Sequence, residues 1–238
     1  MRSIVVIPTY NERENVCQLV ETLVGLPLKL AVLIVDDNSP DGTGKLADEL
    51  SRRYPGTVFV QHRERKEGLG RAYVAAFKNV LQNFTHDLII QMDCDFSHDP
   101  SYLPAFIEAI EDADLVIGSR YLGGVNVVNW DFKRLLLSKF ASMYVRLITG
   151  MPYTDLTGGF KCWRRQALER LPFERIFSMG YLFQVETTYR AWRGRHLRIK
   201  EIPIIFYERN RGRSKIRPNI VFEAFLGVIR LRFTRMPS

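Results

Sequence analysis

Five short apolar runs, separated by stretches of amphipathic or polar residues, organise the first half of the chain. Ser3-Ile-Val-Val-Ile-Pro8 is β-branched and ends on a proline, as a buried strand entering a turn does. Val16, Leu19, Val20, Leu23 and Val24 then recur at helical spacing. Asn11, with Glu14 three positions on, supplies a capping-box-like start, so a helix is predicted over residues 11–25 with Asn11 as its cap. The alternation continues with strand Leu30–Val35, turn Asp36–Thr43, a helix to Tyr54, strand Thr57–Gln61, helix Leu69–Leu81, strand Asp87–Met92 and strand Leu115–Gly118. Strands that alternate with helices predict an α/β fold of one domain, a mostly parallel sheet with helices on both faces.

Beyond Gly118 the rhythm weakens. A Gly/Asn-containing loop over 121–131 precedes an amphipathic helix to about Thr149, Thr154–Gly159 reads as a turn, Tyr181–Trp192 as a helix, and Leu197–Tyr207 as a late strand interrupted by Pro203. In open sheets of this kind ligands gather outside the carboxyl ends of the strands. Pro8 to Glu12, Asp36-Asp37 and Asp93 to Asp95 all fall at such ends.

Composition narrows the partners. With 238 residues and a net charge of +8 the chain favours anionic ligands, and its basic residues thicken between Arg190 and Arg235. Cys17, Cys94 and Cys162 are odd in number and widely spaced, which argues against a disulfide framework or structural zinc and fits a reducing compartment. The sequence shows neither a signal-peptide pattern nor an apolar run of spanning length, so it is expected not to cross a membrane. Lys66-Glu-Gly-Leu-Gly-Arg71 offers a Gly-rich helix entry, a weak anion-site signal that lacks both the P-loop and the full dinucleotide fingerprint.

The sharpest chemistry lies in Met92-Asp-Cys-Asp-Phe-Ser-His98. Two carboxylates flanking one residue after an apolar strand suit Mg²⁺ or Mn²⁺, which take one or two carboxylates plus phosphate oxygens; the plainer alternative is a solvated turn with an Asp cap. His98 is either a further ligand or decoration of the following turn. Of Asp36 and Asp37, one can accept hydrogen bonds from a nucleoside, and Tyr10 offers a ring for stacking, with ordinary packing as its alternative.

Taken in order, Pro8-Thr-Tyr-Asn-Glu12, Val35-Asp-Asp-Asn-Ser-Pro-Asp-Gly-Thr43, Gly68-Leu-Gly70, Met92-Asp-Cys-Asp-Phe-Ser-His98, Gly118-Ser-Arg-Tyr121, Asp155-Leu-Thr-Gly-Gly-Phe160 and Gly180-Tyr-Leu-Phe-Gln-Val-Glu186 cover nearly the whole chain. Together they resemble the dolichyl- and polyprenyl-phosphate mannosyltransferases of glycosyltransferase family 2. The resemblance implies a GT-A fold and GDP-mannose as donor, with Pro8, Tyr10, Glu12, Val35 and Asp37 around the nucleoside, and Asp93, Cys94 and Asp95 at the diphosphate, the two aspartates holding the metal. It also implies Arg120 facing phosphate groups, and Arg209 and Lys215 on a basic loop over the donor. Cys94 stands where the family usually has a small residue such as Ala, and Ser97 where some relatives carry Gln.

A lipid phosphate is already anionic, so it needs no base to remove a proton. In keeping with this, where hydroxyl-directed family 2 relatives carry a late Glu-Asp pair the corresponding helix start reads Gly180-Tyr-Leu-Phe, and their Gln-x-x-Arg-Trp motif does not occur. Direct displacement would invert the anomeric centre, giving a β-linked lipid-phosphate mannose, and Arg134 is the candidate to grip the acceptor phosphate, beside Asp95 and Arg120. Residues 1–217 are expected to form the catalytic domain and 218–238 a C-terminal amphipathic helix. The segments Leu135–Ile148 and Ile220–Phe233 are candidates to lie on a membrane surface, with packing on the sheet as the alternative for each. The expected setting is the cytoplasmic face of a membrane (endoplasmic reticulum or plasma membrane), with polyprenyl or dolichyl phosphate as acceptor and a small membrane subunit as a candidate anchor. Nucleic acid is not an expected partner. The competing readings are a UDP-sugar-dependent relative such as a polyprenyl-phosphate glucosyltransferase, and a non-catalytic nucleotide-binding module.

Overall fold

The computed structural model describes residues 1–130, 132–207 and 218–234, with the side chains of residues 134 and 218–224 outside the description. Strands β1 (Ser3–Thr9), β2 (Leu30–Asp36), β3 (Val58–His62), β4 (Leu88–Gln91), β5 (Leu115–Ser119), β7 (Lys161–Arg164) and β8 (Ile199–Pro203) form one sheet in the order β3-β2-β1-β4-β7-β5-β8. All neighbours run parallel except β7, which is antiparallel to both β4 and β5. The order reverses at β1, with β2 on one side and β4 on the other, which opens a crevice between their carboxyl ends.

Helices cover both faces. On one side α1 (Val16–Val24), α2 (Thr43–Arg53) and α4 (Leu103–Ala109) pack Leu19, Leu50 and Phe106 against Val5, Ile34 and Ile90. On the other, α3 (Leu69–Asn83), α6 (Arg165–Glu169) and α7 (Leu182–Tyr189) pack Phe77, Leu168 and Phe183 against Ile4, Leu33 and Trp163. A third cluster joins α5 (Phe132–Thr149), α7 and α8 (Pro218–Phe233) through Val145, Val185 and Leu231. Each such side chain taken fully out of water contributes about 1.5–3 kcal/mol before entropy is counted.

Pro8 lies inside a central strand without breaking it. It pairs with Val35 of β2, two residues past the last β1–β4 pair, Val6 with Gln91. The N–H it lacks would face β4 where that strand has already turned away.

Three expectations change. Helix α1 begins at Val16, and Asn11 is no cap: it adopts a left-handed backbone (φ 59°) and its N–H donates to Ser39 Oγ. The first α1 N–H groups are met by the carbonyl of Glu12, which accepts from Asn15 and Val16. The late apolar stretch divides into edge strand β8, ending at Pro203, and the two-residue β9 (Phe206–Tyr207), which pairs with β6 (Val127–Val128) in a separate small sheet. Strand β7 was hidden because Lys161-Cys-Trp-Arg164 carries two cations in four residues; both Lys161 and Trp163 are nevertheless fully buried.

Candidate active site at the carboxyl ends of the strands

The ends of β1 and β2 are tied together. The Asp36 carboxylate accepts hydrogen bonds from Thr9 Oγ1 (3.0 Å), Ser39 Oγ (2.6 Å) and Ser39 N (3.0 Å), so it is occupied in holding the turn. Asp37 points elsewhere. It accepts from Arg63 Nη1 at 2.6 Å, and burial pushes its carboxyl above the usual range while Arg63 pulls the other way. Lys66 Nζ sits 3.9 Å over the Tyr10 ring, and Glu12 donates its backbone N–H to Thr43 Oγ1 while its carboxylate accepts from Asn15 Nδ2. Val35 is fully buried in the core, so of this residue only the backbone is left at the crevice.

Beyond β4 the chain turns tightly through Phe96, whose φ of 60° is left-handed. Asp95 accepts from the Ser97 N–H at 3.1 Å, and the Asp93 N–H donates to His98 Nδ1 at 3.0 Å. His98 is buried and stacked on Phe160, with ring centroids 4.8 Å apart. Burial lowers its pKa, the nearby Asp93 and Asp95 opposing, and an Nδ1 that accepts a hydrogen bond carries no proton. His98 thus shapes the aspartate turn as a neutral ring. The Cys94 side chain packs in the core, where burial raises its thiol pKa far above normal.

Among the described residues no cluster of three or more His, Cys, Asp or Glu forms a complete metal cage. Asp93 and Asp95 on one turn nevertheless fit a hard divalent ion such as Mg²⁺ or Mn²⁺, which is held by one or two carboxylates and takes phosphate and water oxygens for the rest. A hydroxyl oxygen, Ser97 Oγ, is buried beside them without a hydrogen-bond partner among the described residues.

At the end of β5, Arg120 is buried and gripped in bidentate fashion by Asp155, Nε to Oδ2 at 2.6 Å and Nη2 to Oδ1 at 2.7 Å, with Nη2 also donating to Thr157 Oγ1. Burial alone would raise the Asp155 carboxyl, but the Arg120 charge and hydrogen bonds hold it below its usual value. Glu201 of β8 supports this pair from behind: it accepts from the backbone N–H groups of Thr154 and Asp155. Neither Asp155 nor Glu201 was assigned a role from sequence. The clue was Asp155-Leu-Thr-Gly-Gly, whose partner lies 35 residues earlier. Arg134 lies on α5, its side chain outside the description, and Arg209 and Lys215 fall outside the described residues.

The Gly-rich entry to α3 is an intimate backbone contact. Gly70 N–H donates to Met179 O at 2.7 Å, and β-carbons on Gly68 or Gly70 would come within 2.6 Å of Met179 O or Ser178 O. Glu186 on α7 holds the other half of that contact, accepting from Phe177 N, Ser178 N and Arg190 Nε.

Helix α5 carries an apolar stripe on its outside. Leu136, Phe140, Met143 and Leu147, spaced four, three and four residues apart, are all exposed, and Leu147 is 80% exposed. Tyr144 stacks on Phe225 of α8, and Phe225, Leu226 and Phe233 extend the exposed apolar surface, flanked by Lys133, Lys139, Arg146, Arg230 and Arg232. No helix among the described residues is long and apolar enough to cross a membrane.

A sheet wound in both directions from β1, with two aspartates beyond β4 facing the crevice, is the GT-A architecture of glycosyltransferases. Glucosyl-3-phosphoglycerate synthase from Mycobacterium tuberculosis, solved with Mn²⁺, UDP and glucosyl-3-phosphoglycerate, superposes with a TM-score of 0.68 at 16% identity, over 97% of this chain and 78% of that one. A mannosyltransferase from Pyrobaculum calidifontis, solved with GDP-Man and Mn²⁺, gives 0.58 at 18% identity, over 98% and 70%. The chain belongs to glycosyl transferase family 2, whose pattern it matches over residues 4–172. It is 42% identical to polyprenol monophosphomannose synthase of Mycolicibacterium smegmatis over 95% of this chain and 85% of that protein, and 43% identical to undecaprenyl-phosphate mannosyltransferase of Micrococcus luteus over 97% and 93%. The dolichol-phosphate mannosyltransferase of Pyrococcus furiosus is 36% identical over 97% of this chain and 64% of its own length.

Proposed function

We propose that this protein transfers mannose from GDP-mannose to a polyprenyl or dolichyl phosphate with inversion, giving a β-linked lipid-phosphate mannose. The observation that carries this reading is the occupation of Glu186. Helix α7 begins within the Gly180-Tyr-Leu-Phe stretch where hydroxyl-directed relatives place their acidic pair, and the Glu186 carboxylate one turn on is buried against Arg190 and the 177–178 backbone. An acceptor that arrives as a phosphate oxyanion needs no proton removed, so a carboxylate locked in this way costs the reaction nothing. The identity with lipid-phosphate mannosyltransferases along almost the full chain supports the same acceptor class.

In this reading Tyr10, Glu12 and Asp37, with the backbone at Pro8 and Val35, receive the nucleoside. Asp93 and Asp95 hold Mg²⁺ or Mn²⁺, which when bound would supply positive charge against the leaving diphosphate. Arg120, fixed by Asp155, presents its remaining guanidinium edge to phosphate oxygens, Arg134 receives the acceptor phosphate, and Arg209 with Lys215 closes the donor side. Residues 1–217 carry the chemistry. The exposed stripe of α5 and the apolar surface of α8, rimmed by cations, rest on an anionic membrane surface as interfacial helices do, which puts the protein peripherally on the side where the nucleotide sugar is present. A small membrane subunit seated on the same surface would anchor it further.

The test is transfer of labelled mannose from GDP-mannose to polyprenyl phosphate with Mn²⁺, then with a chelator, in the wild type and in Asp95→Ala. Lipid product that vanishes with chelator and falls at least about a hundredfold in the variant is expected, the scale of removing a transition-state charge stabiliser. Product from UDP-sugars alone would sink the donor assignment.

A further inference from the structure

Behind the aspartate turn lies a chain of buried polar side chains whose directions are fixed by one ring. The Trp163 indole N–H can only donate, and it donates to Gln91 at 2.7 Å, so the Gln91 atom facing it is the amide oxygen. The Gln91 nitrogen then faces Gln184 at 3.3 Å, and the Gln184 atom that receives it is again the oxygen. That leaves the Gln184 nitrogen, with two N–H donors, at the far end. Gln184 is 1% exposed and this nitrogen has no hydrogen-bond partner among the described residues. Buried donors are rarely left so, because their lost hydration is then uncompensated.

The orphan nitrogen lies against Gly159, where the chain carries no side chain. A β-carbon on Gly159 would lie 3.4 Å from Gln184 Nε2, 3.4 Å from His98 Cε1 and 3.9 Å from Asp93 Oδ1. Gly159 is half-buried and its φ is not in the left-handed region, so the backbone does not require glycine there. The missing side chain leaves a space between an amide that donates and a carboxylate that accepts. A hydroxyl group satisfies both, giving its hydrogen to Asp93 and a lone pair to Gln184. A phosphate oxygen beside a metal held by Asp93 can also accept from Gln184, but the bare nucleotide carries that oxygen whereas only the sugar nucleotide carries the hydroxyl, so binding tells the two apart. The backbone of Gln184 is held in register by Lys161, whose Nζ donates to the Gln184 carbonyl at 2.7 Å, so the amide is positioned from both ends.

We propose that Gln184 is a specificity-determining residue that donates a hydrogen bond to a hydroxyl of the transferred sugar, in the space left open by Gly159. This deepens the glycosyl-transfer reading, because the hydroxyl belongs to the sugar of the nucleotide-sugar donor.

Two variants test it by titration calorimetry with GDP and with GDP-mannose, and with UDP and UDP-glucose if the wild type prefers those. Gln184→Met removes the donor, and Gly159→Ala fills the space with a methyl group that meets only ordinary contacts. Both should weaken the sugar nucleotide about tenfold or more relative to wild type and leave the bare nucleotide within about twofold, since one neutral hydrogen bond in a closed site is worth about this much. Assayed for transfer, Gln184→Met should then lose its disadvantage with one deoxy-sugar donor, the one lacking the hydroxyl that is read. Equal weakening of nucleotide and sugar nucleotide would make Gln184 merely structural, and normal sugar-nucleotide binding by a folded Gly159→Ala would overturn the proposal. These binding results stand even if no lipid product forms, so failure of the acceptor assignment is read separately.

Discussion

Lys161 sits fully buried on a strand beneath the site, its Nζ bonded among the described residues to two neutral groups, the Gln184 carbonyl and Thr188 Oγ1. Burial lowers its pKa from 10.5 to about 7, with Asp155 opposing. The unfolded chain therefore binds a proton that the folded protein releases between about pH 7 and the ordinary lysine range. Stability should rise with pH across that window, and the unfavourable contribution is complete below it. Replacing Lys161 by Met should accordingly help most at about pH 6 and progressively less toward about pH 9.5, measured by urea unfolding at each pH. A benefit that does not vary with pH would show that the amine stays charged inside the fold.

At this scale the sequence was legible where chemistry is local. Asp93, Asp95, Asp37 and Tyr10 stand beside strand ends that hydrophobic patterning located. It was silent on Asp155, Glu201 and Gln184, because each acquires meaning from partners 35 to 93 residues away. Asp36 and Asp37 illustrate the boundary: adjacent in sequence and identical in type, they separate into a turn anchor and an Arg63-paired group only through the direction each side chain takes.

Among the elements, helices with strong apolar stripes were placed to within a few residues, whereas the start of α1 was not. The polar residues before it resemble a cap but are used to link β1 to the turn after β2, through Asn11 to Ser39 and Glu12 to Thr43. The entry to α3 gives the sharpest test of an element contact. An alanine at Gly70 would press its β-carbon against Ser178 O and the Phe183 ring, which forces the 178–179 segment away from the helix. The expected cost of Gly70→Ala is about 1–3 kcal/mol, seen as a lower thermal midpoint, whereas Gly159→Ala should leave it almost unchanged. Equal midpoints for the two would mean that the backbones do not meet as closely as described.

For the whole molecule, the surface of α5 and α8 joins exposed Leu147, Met143 and Phe225 to a rim of lysine and arginine. The protein should co-sediment with vesicles containing anionic lipid. Met143→Glu with Leu147→Glu should reduce the bound fraction severalfold, whereas raising salt should reduce it only partly, since apolar burial is not screened. Binding to neutral and anionic vesicles alike, untouched by the double substitution, would place the contact elsewhere.

The reversed strand in the middle of the sheet governs something else, the order in which the fold can be completed. Strand β4 is made early and β5 soon after, yet neither is hydrogen-bonded to the other; both wait for β7, whose pairings reach back from residues 161–164 to 88–91 and 115–117. Until that segment leaves the ribosome the nascent chain carries an open edge on β4 and, with β8 also still to come, a β5 strand without any partner, the kind of exposed ladder on which chains aggregate. A protein cut short before Lys161 is therefore more than a transferase lacking its last helices. It is a four-stranded sheet with an open edge and a fifth strand that has nothing to pair with.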